Sequence, residues 1–198
     1  MQITKLKYLL TLLLLLPIRG CVSNNTGHNS VMEIDCTKSR SLITIPGTPG
    51  IQMSASRCKD YVFTKEKARR AITLFVSRYA YEFNMHELEV WELLRGLQIE
   101  VSAIPRAVAN VYDVNGNLFK ENVPVSGLAI SPNRIWVEVK TSQIWPTSLA
   151  HELVHIIIWR SQGVHADPDH EGSQFSGWTK KHTKFLKSLR QELMDLEI

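Results

Sequence analysis

The sequence lacks any apolar run near the roughly 20 residues that a membrane-spanning helix requires. Its longest, Tyr8 to Leu16, is about nine residues, too short to stay in a bilayer as a span. It also lacks a dominant charge. The formal +4 comes from 23 basic against 19 acidic residues, and Lys5, Lys7 and Arg19 in the N-terminal head account for most of the excess. Without those three, 20 basic residues face 19 acidic ones, so the electrostatic footprint of nucleic-acid binding is missing and no nucleic-acid partner is expected. Cysteine is scarce, at three residues. No internal repeat is present, which excludes a repeat array. What remains, with 44% hydrophobic residues in 198, is enough for one domain with a real core.

The N-terminus is the first feature the sequence does have. A head with Lys5 and Lys7, a short apolar body and Gly20 before Cys21 describe a secretory signal peptide over residues 1–20. Ile18-Arg19-Gly20-Cys21 resembles the lipobox of bacterial lipoproteins, where cleavage follows the small residue and the cysteine becomes the lipidated N-terminus. Arg19 stands where a small residue is usual, and Ile18 where leucine is commoner. The resemblance implies export, lipidation of Cys21 and a membrane anchor. Val22 in the second mature position implies the periplasmic side of the outer membrane. With Cys21 given to lipid, Cys36 and Cys58 form an even pair in an oxidising compartment. A bridge between them would close a loop of about twenty residues and restrict the unfolded state by about 3 kcal/mol. The alternative is two thiols.

Residues 21–60 are rich in Ser, Thr, Asn, Gly and Pro, as in Ser23-Asn-Asn-Thr-Gly27 and Ile45-Pro-Gly-Thr-Pro-Gly50, and read as a tether and extended lead-in. The domain proper is expected over 61–198. A long helix begins at Thr64, with Ala71, Leu74, Phe75, Arg78, Tyr79 and Phe83 mainly on one face. A shorter helix covers about 87–95 and stops at Gly96. Leu97-Gln-Ile-Glu-Val101 alternates as a strand does. Val108 to Asp113 and Leu118 to Lys120 flank Asn115-Gly116, a hairpin turn pair. Gly127 to Ile130 and Arg134 to Val139 form another hairpin around Ser131-Pro-Asn133. Pro146 suits the first turn of a helix running to about Arg160, and a last helix is expected over about 173–196, with Phe175, Trp178, Phe185, Leu189 and Leu193 on an apolar stripe. The pattern is α+β in one domain, with a mostly antiparallel small sheet.

Within the helix after Pro146 stands His151-Glu-Leu-Val-His155, an H-E-x-x-H pattern. Residues four apart lie one turn up the same face, so both imidazoles can converge on one ion. Glu152 is rotated aside, within reach of a water on that ion. A zinc ion (Zn2+) lowers the pKa of such a water towards 7, and the carboxylate can take its proton as it attacks a carbonyl. Leu149, Leu153, Ile156, Ile157 and Arg160 mark the opposite, packing face. The bland alternative is a pair of satisfied core histidines. Met85-His-Glu-Leu-Glu-Val90 repeats the His-Glu but has no second histidine. A catalytic zinc takes a third protein ligand, for which His165, His170 and Glu171 are the candidates. Asp167 and Asp169 are the candidate carboxylates behind the imidazoles. His182 reads as packed rather than catalytic, and Trp136, Trp145 and Trp159 as core.

His151-Glu-Leu-Val-His155, followed by His170-Glu-Gly-Ser-Gln-Phe175 and an aromatic-bearing helix, resembles the minimal zincin peptidases of the SprT-like kind. The resemblance spans about 125–195. It implies a zincin-like fold, zinc held by His151, His155 and His170, and Glu152 as general base. The interval from His170 to Phe175 is one residue longer than the family's step, which would align Glu171 instead; His165 is the third option. The strand Arg134 to Val139 would match the edge along which zincins pair with extended substrate. The Cys-rich zinc ribbon of some relatives is missing, and Ser161 occupies the place of the third metzincin histidine. The implied function is a zinc-dependent metallopeptidase cleaving peptide or protein substrates in the cell envelope. Its alternatives are a zinc amidase or hydrolase on cell-wall peptides, and a non-catalytic zinc-binding lipoprotein.

Overall fold

A computed structural model describes residues 42–55, 65–102, 108–112, 117–138, 145–163 and 177–196. Four helices pack with a small mixed sheet in an α+β arrangement. In chain order the elements are β1 (Ile43–Thr44), β2 (Gln52–Ala55), α1 (Lys65–Phe83), α2 (Glu87–Leu93), β3 (Gln98–Ser102), β4 (Val108–Tyr112), β5 (Leu118–Pro124), β6 (Gly127–Ser131), β7 (Arg134–Glu138), α3 (Trp145–Gln162) and α4 (Lys180–Asp195). Among the described residues no helix is long and apolar enough to cross a membrane.

The helices start and stop where local chemistry dictates. Ala68, Ala71, Ile72, Phe75, Val76, Tyr79 and Ala80 give α1 one buried stripe. Asn84 ends it in the left-handed region at φ 53°, and the Met85 amide donates back to the Ala80 carbonyl at 2.9 Å. The second His-Glu pair is a helix cap. His86 Nδ1 accepts from the Leu88 amide at 3.2 Å while Glu89 accepts from the His86 amide at 3.1 Å. The last helix begins later than the apolar stripe suggests, at Lys180. Gly177 sits at φ 101°, and Thr179 caps the helix with His182 Nδ1 accepting from its amide at 3.0 Å.

The main sheet has strand order β1-β2-β3-β7-β6. The expectation of a mostly antiparallel sheet is corrected: β2, β3 and β7 run parallel, and only β1 and β6 pair antiparallel to their neighbours. The reason is connectivity. Helices α1 and α2 intervene between β2 and β3, and the β4–β5 hairpin and β6 intervene before β7, which allows parallel pairing. Strand β7 is also interior rather than at the edge. It registers with β3 from Gln98↔Arg134 to Ser102↔Glu138 and with β6 from Gly127↔Val137 to Ser131↔Arg134. Burial on both faces suits this place: Ile135 and Val137 meet the helices, whereas Trp136 meets Ala109 and Leu128 in a second, smaller core. The edge strands are β1 and β6, and β6 is the one against α3.

Part of the expected lead-in belongs to the folded body. Ile45, Ile51 and Met53 are buried in the main core, and β2 pairs with β3 from Gln52↔Gln98 to Ala55↔Val101. The expected boundaries after residues 20 and 60, with Cys21, Cys36 and Cys58, lie outside the described residues. The β4–β5 hairpin forms as the turn pair implies, from Val108↔Pro124 to Tyr112↔Leu118; Asn115-Gly116 itself lies outside the described residues.

Helix α3 sits under the sheet and against the other three helices. Leu149, Ala150, Leu153, Val154, Ile156, Ile157 and Ile158 are all buried, so its azimuth is fixed by packing and only a narrow strip is left for chemistry. Arg160 fixes its far end. The guanidinium donates to the Pro132 carbonyl at 2.6 Å, to Asn133 Oδ1 at 2.7 Å, and to the Leu93 and Arg95 carbonyls, each at 2.9 Å. One side chain thus ties α3 to the end of α2 and to the β6–β7 turn.

Candidate metal centre

The strip of α3 left outside the apolar packing carries His151 and His155, both half-buried. Their Nε2 atoms face each other at 3.2 Å, with ring centroids 5.0 Å apart and planes tilted by 60°. The convergence follows from the four-residue spacing. Two nitrogens bound to one tetrahedral zinc at 2.0–2.1 Å lie about 3.3 Å apart. The observed separation fits that requirement, and it equally fits an N–H···N hydrogen bond. Either way the two nitrogens are brought together rather than splayed.

Trp178 backs the pair. Its ring centroid lies 5.1 Å from that of His151 and 4.8 Å from that of His155, and the indole is buried. The indole N–H donates to Thr183 Oγ1 at 3.1 Å, which anchors the ring to the first turn of α4. Behind Trp178 lies His182, 5.7 Å between centroids. Its Nδ1 accepts from Thr179, so the neutral ring carries its proton on Nε2, which donates to the Tyr79 hydroxyl at 3.2 Å. Phe83 stacks on the same imidazole at 4.5 Å. His182 is packed, as its place on the α4 stripe implies. Burial first, and the neighbouring Lys181 charge second, push its pKa down to about 4. Burial holds the Tyr79 phenol well above its ordinary range.

Glu152 is rotated to one side of the pair. It is 4% exposed, and its carboxylate lies against the backbone of Gly127 at the start of β6. The histidines thus lie off the apolar packing face of α3. The glutamate lies at the seam, buried beneath the edge strand.

Among the described residues no group of three or more His, Cys, Asp or Glu side chains converges to hold an ion. The third-ligand candidates His165, His170 and Glu171, and the carboxylates Asp167 and Asp169, lie in 164–176, outside the described residues. The side chain of Trp145 is likewise outside them, Trp136 is fully buried away from α3, and Trp159 is half-buried.

Two residues of this centre are not found by reading motifs. Trp178 fits the α4 stripe so well that it reads as helix interior, although Thr179 followed three residues later by His182 is the cap that excludes it from the helix. Gly127 opens a strand, a place where glycine signals the close approach of another group. Comparison with protein-family models, with curated proteins and with solved structures returns no match.

Proposed function

We propose that this chain is a zinc-dependent metallopeptidase with a zincin-like domain, cleaving peptide bonds in the cell envelope. The observation that carries the reading is the pair of Nε2 atoms 3.2 Å apart on one helix face, beside the buried carboxylate of the intervening turn. The separation of the two nitrogens is compatible with two of the four positions around a tetrahedral ion, which supports the reading. His151 and His155 would hold zinc, with the third ligand drawn from His170, Glu171 or His165. Bound there, zinc would supply Lewis-acid polarisation of the substrate carbonyl and of water.

The remaining work falls to the chain's own groups. Glu152 takes a proton from the attacking water as its oxygen bonds to the carbonyl carbon, then delivers that proton to the amine nitrogen as the C–N bond breaks. Trp178 restricts the imidazoles to the orientation in which both Nε2 atoms converge. An extended peptide would add along β6, the terminal strand beside α3, pairing backbone to backbone. This moves the docking edge from Arg134–Val139, the sequence-based expectation, to Gly127–Ser131. The signal-like N-terminus and Cys21 support an exported protein held by lipid at the periplasmic face of the outer membrane.

The test is Glu152→Gln, assayed on an unfolded protein and on cell-wall fragments alongside metal content. Turnover is expected to fall by about 100-fold or more with bound zinc unchanged. Cleavage of the cell-wall fragments alone would point to an amidase. Undiminished turnover in the variant would exclude Glu152 as the base.

A further inference from the structure

We infer that Gly127 is the positioning residue that seats the Glu152 carboxylate. Gly127 pairs with Val137 in the antiparallel β6–β7 ladder, on the sheet face that meets α3. Its backbone is not in the left-handed region, so conformation does not demand glycine there. Space does. A Cβ at this position would stand 2.5 Å from Glu152 Oε1, 2.8 Å from its Cγ and 2.9 Å from its Cδ. Three consecutive side-chain atoms thus lie inside the volume that any other residue would fill. Relieving the clash requires the Glu152 side chain to move, although Glu152 is buried and α3 is packed by its apolar neighbours. The missing methyl is therefore the floor of the seat, and the edge strand itself sets where the carboxylate sits.

This inference rests on Glu152 being the general base, and it assigns a second element to that base's geometry. An alanine at 127 meets the Glu152 side chain first, since the three atoms nearest its methyl all belong to that residue. A shift of about 1 Å in a catalytic group is enough to cost about 100-fold in rate. The loss belongs in kcat, because the group acts as the transition state forms rather than in holding substrate.

Four proteins test it: wild type, Gly127→Ala, Glu152→Ala and the double variant, each measured for thermal midpoint, bound zinc, kcat and KM. Gly127→Ala is expected to lower kcat about 100-fold with KM changed less than about threefold and zinc content equal to wild type. It is also expected to lower the midpoint by about 5 °C. In the Glu152→Ala background, where the methyl meets vacated space, the same substitution is expected to cost no midpoint at all. If Gly127→Ala does not fold alone but folds beside Glu152→Ala, the seat is supported. A midpoint loss equal in both backgrounds, a double variant that also fails to fold, or an unchanged kcat overturns it. Should wild type cleave no peptide, the peptidase reading falls, while the thermal cycle still decides whether Gly127 seats Glu152.

Discussion

At the scale of single residues, His182 shows how a buried histidine serves structure beside a candidate reactive pair. Its ring joins the α4 cap, the Tyr79 hydroxyl and the Phe83 face, and the cap contact at Nδ1 requires the neutral form. Unfolded, the ring titrates near its ordinary value of 6.5; folded, it titrates at about 4. Above pH 6.5 both states are neutral and the group adds no pH dependence. As pH falls from 6.5 towards 4 the unfolded chain binds the proton first, so stability drops across that window and levels off below it. Urea unfolding of wild type and His182→Gln across pH 7.5 to 4 checks this. The advantage of wild type over the variant should be constant above pH 6.5 and shrink steadily below it; a constant difference throughout would remove His182 from the acid limb. His182 was readable as packed because it falls on the apolar stripe of α4. Trp178 was not readable as a neighbour of His151 and His155, because no local pattern reports which ring a chain reversal brings against another helix.

At the scale of elements, α3 is aimed by what surrounds it. The sequence pattern places its boundaries within a few residues and identifies its apolar face, since both follow from Pro146, Gly163 and 3.6-residue periodicity. The partners of its end are another matter. Arg160 reads as one polar residue on an apolar face, yet its guanidinium takes four acceptors from α2's end and from the β6–β7 turn. Burial pulls its pKa down from the usual value. Arg160→Ala leaves those carbonyls without a donor and is expected to destabilise the fold by about 2 kcal/mol. Arg160→Lys should recover less than half, since an ammonium cannot span acceptors arranged around a planar fork. Denaturant midpoints of the three proteins decide it; full recovery with lysine would reduce Arg160 to a simple charge. The surface pair Arg78–Glu192 between α1 and α4, although only 2.5 Å apart, is half-exposed and contributes about 1 kcal/mol or less. Parallel pairing in the sheet escaped the sequence because strand direction depends on long-range partners. The alternation in Leu97–Val101 and Arg134–Val139 specifies strands but not which neighbours they take.

At the scale of the whole molecule, a buried helix carries two histidines to one strip of surface, an indole packs against both rings, and the carboxylate next to them in sequence lies against an edge strand. The helix, the histidines and the glutamate were all visible as one short motif. The supports were not, because they come from 24 residues upstream, at Gly127, and 23 residues downstream, at Trp178, of His151 and His155 respectively. Zinc analysis of the purified full chain by mass spectrometry, in wild type, His151→Ala, His155→Ala and Glu152→Gln, bears most directly on the central claim. One zinc per chain is expected in wild type and in Glu152→Gln, with the ion lost from either histidine variant. Equal metal content in all four proteins, or none in wild type supplied with zinc, would contradict it.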